Sequence, residues 1–391
     1  MAALRRLSVN GNKLEVSFHD QAVGKLSETV DHRVAFAYTP EWLREGFPIS
    51  PFSLPLKAEV FVPSSSHFGG LFGVFADSLP DAWGQLLMNR MLQRRGINID
   101  EVGQLTRLAI IGDSGMGALC YHPAWEAWQP QELADLDALA QECQHILNRE
   151  ETQDADRMFA LAGSSGGARP KVMTEEWIIK FPASTEDPDS GVMEKAYMDC
   201  AERCGITVPE TKLLPSKRCG GYFSVRRFDR TLGTDGMLQR HHVLTAAAIL
   251  ELDWRSPSMD YHTLMKLTKI LCRDRREEVE QMYRRMCFNV FAHNRDDHSK
   301  NFSFLYNEKK DQWSLSPAYD LTWSSTYYGE HTTTVDGNGR DPGIKELLAV
   351  GKKAGLSTKR CREIAEEIQA EAVPLEMKFR NNGWYGKASQ Q

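Results

Sequence analysis

The stretch from Leu264 to Leu305 constrains this chain more than any other. Apolar residues recur at helical spacing as far as Ala292, the sequence then breaks into HNRDDHSKN, and apolar Phe302, Phe304 and Leu305 follow. One or two long helices must bury that face, so the segment belongs to a folded, mostly helical region. The helical region hands a cluster of ionisable groups to the start of a strand. Such a concentration between apolar segments marks a site, because a solvated surface would mix its acids and bases with spacers.

Asp296, Asp297, His298, Lys300 and Asn301 make up the cluster, and about 19 residues after Asn301 comes SPAYDLTW, with Asp320 between apolar residues. An Asp, an Asn five positions later and a separate Asp after a short strand hairpin fit the division of labour in phosphoryl transfer. One carboxylate serves the substrate hydroxyl, and two hard oxygen ligands suit Mg²⁺ better than zinc. A polar loop with a helix-capping Asp is the plain structural alternative. A metallohydrolase using the same His and Asp residues as ligands is a chemical one, but it leaves two upstream features without a role.

The first of these is GSSGGARPK, in which Gly163, Gly166 and Gly167 bracket Ser164 and Ser165. Without Cβ atoms a backbone can approach a phosphate and aim its N–H groups at it. The P-loop pattern is absent, and a flexible Gly/Ser loop is an equally simple reading. The second is Lys180 at the end of the strand-like WIIK. An ammonium there must snorkel to solvent or meet an anion. Glu194, on the helix predicted for VMEKAYMDCAERCG, is placed to be that partner.

Composition narrows the classes. The 391 residues carry a net charge of −6, with 41% hydrophobic and 26% charged residues, which fits a globular chain large enough for two domains or one elaborate one. No global attraction to nucleic acid or anionic membrane follows from that charge. No stretch approaches the roughly 18 apolar residues that span a bilayer, and the alternating start lacks the apolar core of a leader. The eight cysteines are scattered, so reduced thiols and a cytoplasmic location are expected. Cys200 and Cys204 would share a helix face, with no second pair at zinc-finger spacing.

The first 60 residues read as short strands, followed by a helix through LPDAWGQLLMNRMLQRRG with Pro80 in its first turn. LAIIGDSGMGALCYHP reads as strand, tight turn and strand, QPQELADLDALAQECQHILNRE as an amphipathic helix, and EETQDADRM as a polar connection. TKLLPS and GYFSVRRFDR form a strand pair, and the chain from HHVLTAAAIL onward is mostly helical. The expected fold class is α+β, two-lobed and protein-kinase-like, with a β-rich N-terminal subdomain and a mostly helical C-terminal lobe. The expected domains are 1–125, β-rich then helical; 126–240, with the glycine-rich loop and Lys180; and 241–391, with the catalytic and Mg-binding residues.

In order, GSSGGARPK, WIIKFP, VRRFDR, NRDDHSKNFSF and SPAYDLT resemble the HipA family of bacterial serine/threonine kinases, the toxin partners of HipB antitoxins. FAYTPEWL, PISPFSLPL, DSLPDAWGQLL and GDSGMGAL look like that family's N-terminal region, so the likeness covers roughly residues 10 to 330. The string D-x-H-x-K-N is its most specific element. The resemblance implies ATP and Mg²⁺ as cofactors, Lys180 on the nucleotide phosphates beside Glu194, and the loop of Gly163, Ser164, Ser165, Gly166 and Gly167 over them. It implies Asp296 as the catalytic aspartate, Asn301 and Asp320 as metal ligands, and His298 and Lys300 as supports of the loop or the transferred phosphate. Asp297 stands at the string's variable position and is not the base.

In that family a loop serine is autophosphorylated and the modified loop leaves the nucleotide pocket. Ser164 matches it in spacing, with Ser165 second, and a phosphate could not share a cradle with those of ATP. Ala168, Arg169 and Pro170 replace the Gln-Glu or Gln-Pro that usually ends the loop before Lys171. The implied partners are a HipB-like helix-turn-helix antitoxin, DNA only through it, and a protein substrate, an aminoacyl-tRNA synthetase among the family's known targets. Two alternatives stand beside the protein kinase. One is a catalytically silent co-repressor, for which Arg273, Arg275, Arg276, Arg284 and Arg285 could touch phosphates. Interleaved Glu277, Glu278 and Glu280 favour a solvated helix face instead. The other is a small-molecule kinase.

Overall fold

The computed structural model describes residues 13–64, 66–125, 135–150, 155–233, 236–326 and 329–381. The alternating N-terminal residues, the first part of the helix expected over 129–150, and positions 151–154 of the polar connection lie outside them.

Lys13–Phe18 (β1) and Gln21–Glu28 (β2) form a hairpin whose turn residues His19 and Asp20 have φ of 45° and 64°. Positive φ at both positions lets the turn follow the strands' right-handed twist. Val34–Tyr38 (β3) pairs antiparallel with the far edge of β2. Four helices follow: Pro40–Glu45 (α1), Gly73–Ala76 (α2), Ala82–Arg94 (α3) and Gln104–Ile111 (α4). Leu119–His122 (β4) then returns to β1, giving the order β3-β2-β1-β4. Val16, Phe18, Leu26, Phe36, Leu108 and Ile111 are buried between sheet and helices, each worth about 1.5–3 kcal/mol if wholly removed from water. Leu136–Leu147 (α5) and Ala155–Ala162 (α6) complete the front.

Lys171–Met173 (β5) and Trp177–Lys180 (β6) come next, joined by a turn in which Thr174 N–H donates to Trp177 O at 2.8 Å. Ser190–Arg203 (α7) ends at Gly205, with φ of 68°. Thr211–Leu214 (β7) and Tyr222–Arg226 (β8) are the expected antiparallel pair. The hairpin Arg230–Leu232 (β9) and Leu238–Arg240 (β10) leads to His242–Thr245 (β11) and Ala246–Ile249 (α8). After Met259–Asp260 (β12) come the two long helices, Tyr261–Leu271 (α9) and Arg276–Phe291 (α10), then the hairpin Ser303–Asn307 (β13) and Gln312–Leu315 (β14). Thr333–Thr334 (β15) pairs parallel with β12, and Ile344–Lys353 (α11) and Thr358–Asn381 (α12) pack with α10.

Four local expectations fail for identifiable reasons. LAII is the end of a helix, because Leu105, Leu108 and Ala109 keep helical spacing and Gly112, at φ 55°, stops it. Pro80 precedes α3 rather than sitting in its first turn, since Asp81 is the N-cap. Residues 155–158 of the supposed connection open α6, whose Ala155, Met158 and Phe159 are buried. HVLT, residues 242–245, is a strand, and the Thr245 hydroxyl caps α8 by accepting from Ala248 N–H at 3.1 Å, so the helix starts only after it.

The chain divides into two compact units, residues 1–178 with 229–253, and residues 179–228 with 254–391. The three domains expected from the sequence, 1–125, 126–240 and 241–391, stand as a proposal.

Candidate active site

The glycine-rich loop belongs to the first unit and starts at the end of α6, where a Cβ on Gly163 would stand 2.0 Å from Phe159. It lies on α3: a Cβ on Gly84 would meet the carbonyls of Gly163 and Ser165 at 2.8 and 3.0 Å. Asp81 accepts from Gly167 N–H at 3.0 Å, Lys171 Nζ donates to Gly166 O, and the Ser164 hydroxyl donates to Ser114 O at 2.8 Å. Ser164 is 8% exposed and Ser165 1%, and the Ser165 hydroxyl has no hydrogen-bond partner among the described residues. The turn carrying Ser114 is itself braced. Arg230 donates to Gly115 O and Gly117 O, Arg240 to Asp113 O and Gly117 O, and Asp229 accepts from Gly117 N–H.

In the second unit Lys180 ends β6 among buried neighbours and its ammonium meets two carboxylates. Nζ lies 2.6 Å from Glu194 Oε1, on α7, and also binds Asp320 Oδ1. Burial alone would depress the lysine, but the charges of Asp320 and Glu194 override it and hold the ammonium above its ordinary range. Glu194 is 1% exposed, so the pair is a buried one. Asp320 follows the β13–β14 hairpin, as expected, at φ 52°, a left-handed conformation that aspartate tolerates better than most residues.

The loop after α10 holds the other groups. Asp296 presents a side chain that is 59% exposed, with His298 Nε2 3.7 Å from its Oδ1. Desolvation raises its carboxyl above the usual aspartate value, His298 pulls it back, and Asp320 and Asp297 push it up again. His298 caps the short helix 299–301 by accepting from Lys300 N–H at Nδ1, 3.2 Å, which places the neutral ring's proton on Nε2. Its ring lies 5.1 Å from Trp254, and Lys300 Nζ stands 5.8 Å over the same indole. Asn301 donates through Nδ2 to Asp296 O at 2.6 Å, leaving its amide oxygen as the atom a cation could use. Asp297 is 1% exposed and fully engaged by Tyr261, His331 and Thr333.

Among the described residues no group of three or more His, Cys, Asp or Glu is arranged to hold a metal. A magnesium bound through two protein oxygens and substrate phosphates needs no such group. Asn301 Oδ1 and the Asp320 carboxylate are hard donors of the right kind, and the mutual repulsion of Asp296 and Asp320 is what a divalent cation would relieve.

Trp254, Asp81, Ser114 and His331 have no signal in the sequence, because each acts through a neighbour far away along the chain. The arginines weighed as phosphate contacts are otherwise engaged. Arg275 pairs with Glu278, Arg276 with Glu280, Arg273 with Asp311 and Arg284 with Glu367, while Arg285 is 2% exposed and donates to Ser316 O. All eight cysteines are free thiols. No described helix is long and apolar enough to cross a membrane.

Residues 163–375, more than half of the chain, match the model of the HipA-like C-terminal domain, and residues 14–122 match that of the HipA N-terminal domain. The chain belongs to the HipA-like family. Two Sinorhizobium fredii proteins are 25% identical to it: "Putative kinase Y4dM", over 90% of this chain and 88% of the relative, and "Putative kinase Y4mE", over 80% and 78%. The fold matches HipA in the Shewanella oneidensis MR-1 complex of HipA, HipB and operator DNA, with a TM-score of 0.68 at 18% identity over 96% of both chains. The α+β, kinase-like fold class expected from the sequence therefore holds for this HipA-like chain.

Proposed function

We propose that this HipA-like chain is an ATP-dependent serine/threonine protein kinase acting as a toxin, which passes the γ-phosphate to a protein hydroxyl. The observation that carries the reading is Lys180, held between Glu194 and Asp320, in the same unit as the loop that presents Asp296 and Asn301. Lys180 neutralises nucleotide phosphates, and Glu194 keeps its ammonium in place. Asp296 receives the proton of the attacking hydroxyl, a task helped by a carboxyl raised above the ordinary aspartate value. Asn301 and Asp320 would hold Mg²⁺, which when bound neutralises charge on the phosphates. His298 and Lys300 steady the loop through Trp254, and residues 163–167 cover the phosphates.

Ser164 is the autophosphorylation site in this reading, ahead of Ser165. Its hydroxyl donates to a carbonyl, so a phosphate there would set anionic oxygens against Ser114 O and release the loop. A HipB-like helix-turn-helix protein is the partner, DNA is reached only through it, and an aminoacyl-tRNA synthetase is a candidate substrate. The test is incubation with γ-labelled ATP and Mg²⁺ beside Asp296→Ala, followed by peptide mapping. Label on Ser164 in the wild type alone is expected. No label on a chain shown by mass to be unphosphorylated beforehand would overturn the reading.

A further inference from the structure

We propose that Asp297 is a positioning residue, a buried anchor that fastens residues 331–333 to the loop carrying Asp296 and ties that loop to the backbone of Asp320. The proposal rests on the phosphoryl-transfer reading above.

Asp296 and Asp297 are adjacent and chemically opposite. The first side chain is 59% exposed and the second 0%. A buried carboxylate is tolerated only when it is hydrogen-bonded, and here three groups meet its two oxygens. Tyr261 O–H donates to Oδ2 at 2.9 Å, His331 Nδ1 lies 3.0 Å from the same oxygen, and Thr333 N–H donates to Oδ1 at 3.1 Å. Opposite a carboxylate, His331 Nδ1 is the nitrogen that carries the proton.

The segment is stitched on both sides of Asp296. Thr332 donates through N–H and hydroxyl to Arg295 O at 3.1 and 2.9 Å, and the Thr333 hydroxyl donates to Asp297 O. The backbone before and after the exposed carboxylate is therefore pinned, while the carboxylate itself stays accessible. A second arm runs inward. Asn289 Nδ2 donates to the Tyr261 hydroxyl at 2.8 Å, and Asn294 Nδ2 donates to Asn289 Oδ1 at 2.9 Å with a 3.4 Å contact to Asp320 O. Side chains from α9, from α10 and from the loop itself thus link Asp297 to the residue whose left-handed backbone presents the other carboxylate. Apart from Asn294 Oδ1, which has no hydrogen-bond partner among the described residues, the side-chain groups of this buried network are paired, and such a network rigidifies what it joins.

The anchor is tested on the purified full chain with His331→Ala, His331→Asn and Asp297→Asn. Two readouts are the dependence of self-labelling rate on γ-labelled ATP concentration and hydrogen exchange of residues 329–340. His331→Ala should lower the maximal rate roughly a hundredfold, the scale of a misplaced reacting group. Half-saturation by ATP should stay within about twofold, and exchange should quicken in 329–340. His331→Asn, whose amide nitrogen can stand where Nδ1 stands, should recover most of the rate. Unchanged exchange or an unchanged rate in both His331→Ala and Asp297→Asn overturns the proposal. So does a fall in rate matched by an equal rise in half-saturation, the mark of a general buttress. If the wild type takes no label at all, the kinase reading falls and exchange alone decides the anchor: quickening confined to 329–340 supports it, unchanged protection overturns it.

Discussion

Replacing Lys180 by Met tests the buried ion pair most directly. The substitution keeps the length of the side chain and removes the ammonium that stands 2.6 Å from Glu194, whose side chain is 2% exposed. Breaking a buried pair from one side costs about 3–5 kcal/mol. Asp320, with 40% of its side chain exposed, is rehydrated and adds little. Glu194→Gln is milder, at about 1–2 kcal/mol, because Lys180 keeps Asp320 and loses only one charged hydrogen bond. In Lys180→Met/Glu194→Gln the stranded carboxylate is gone, so the double variant should be about 2 kcal/mol more stable than the two single costs added together. Urea unfolding of all four proteins measures this coupling, and transfer from γ-labelled ATP measures activity. Stability should be partly restored in the double variant and transfer should not. Costs that add within about 0.5 kcal/mol would refute the pair, and transfer regained in the double variant would refute the role of Lys180 on the phosphates.

Three further outcomes are expected. Asp296→Asn should reduce transfer by about 10²–10⁴-fold with little change in melting temperature; in the wild type the acid limb of the rate profile should lie above the ordinary aspartate range, since only the deprotonated carboxylate accepts the proton. His242 is 2% exposed, 2.7 Å from Ile49 O and pushed down by burial to about 4. The unfolded chain therefore binds more protons below about 6.5, so stability should fall by at most about 3 kcal/mol as pH drops from 6.5 to 4, and His242→Gln should remove that slope in acid unfolding curves. Asp81→Ala deletes the acceptor of Gly167 N–H, a loss of about 1–2 kcal/mol of local stability that should appear as faster hydrogen exchange across residues 163–171 and faster labelling of Ser164.

Much of the site was legible because its pieces are local. A lysine closing a strand and a glutamate on the next helix leave few ways to satisfy a buried ammonium, and the pair Lys180–Glu194 follows. The hairpin between Asn301 and Asp320 was equally readable from its alternation. What stayed hidden depends on contacts distant in sequence. Nothing in DD tells which aspartate faces water; Tyr261 and His331, 36 and 34 residues away, decide it. The left-handed backbone of Asp320 has no glycine to announce it. LAII failed as a strand because four apolar residues suit either element and the deciding Gly103 and Gly112 lie outside the run. The solvated, locally paired face expected of the arginine cluster holds for Arg275 with Glu278 and Arg276 with Glu280, whereas Arg273 pairs with Asp311, Arg284 is largely buried against Glu367, and Arg285 is buried.

The interleaving of the two units bears on how the chain is made on the ribosome. Strands β1 to β4 leave the exit tunnel first, yet the groups that brace their surroundings arrive more than a hundred residues later. Asp77 waits for Thr245, Gly73 N–H for Glu251, and the turn at 113–117 for Arg230 and Arg240. At about 5–20 residues per second, the N-terminal module spends several seconds without them. A transcript cut short between codons 171 and 229 would therefore yield a chain whose glycine-rich loop has its serine but whose supporting turn lacks Asp229, Arg230 and Arg240.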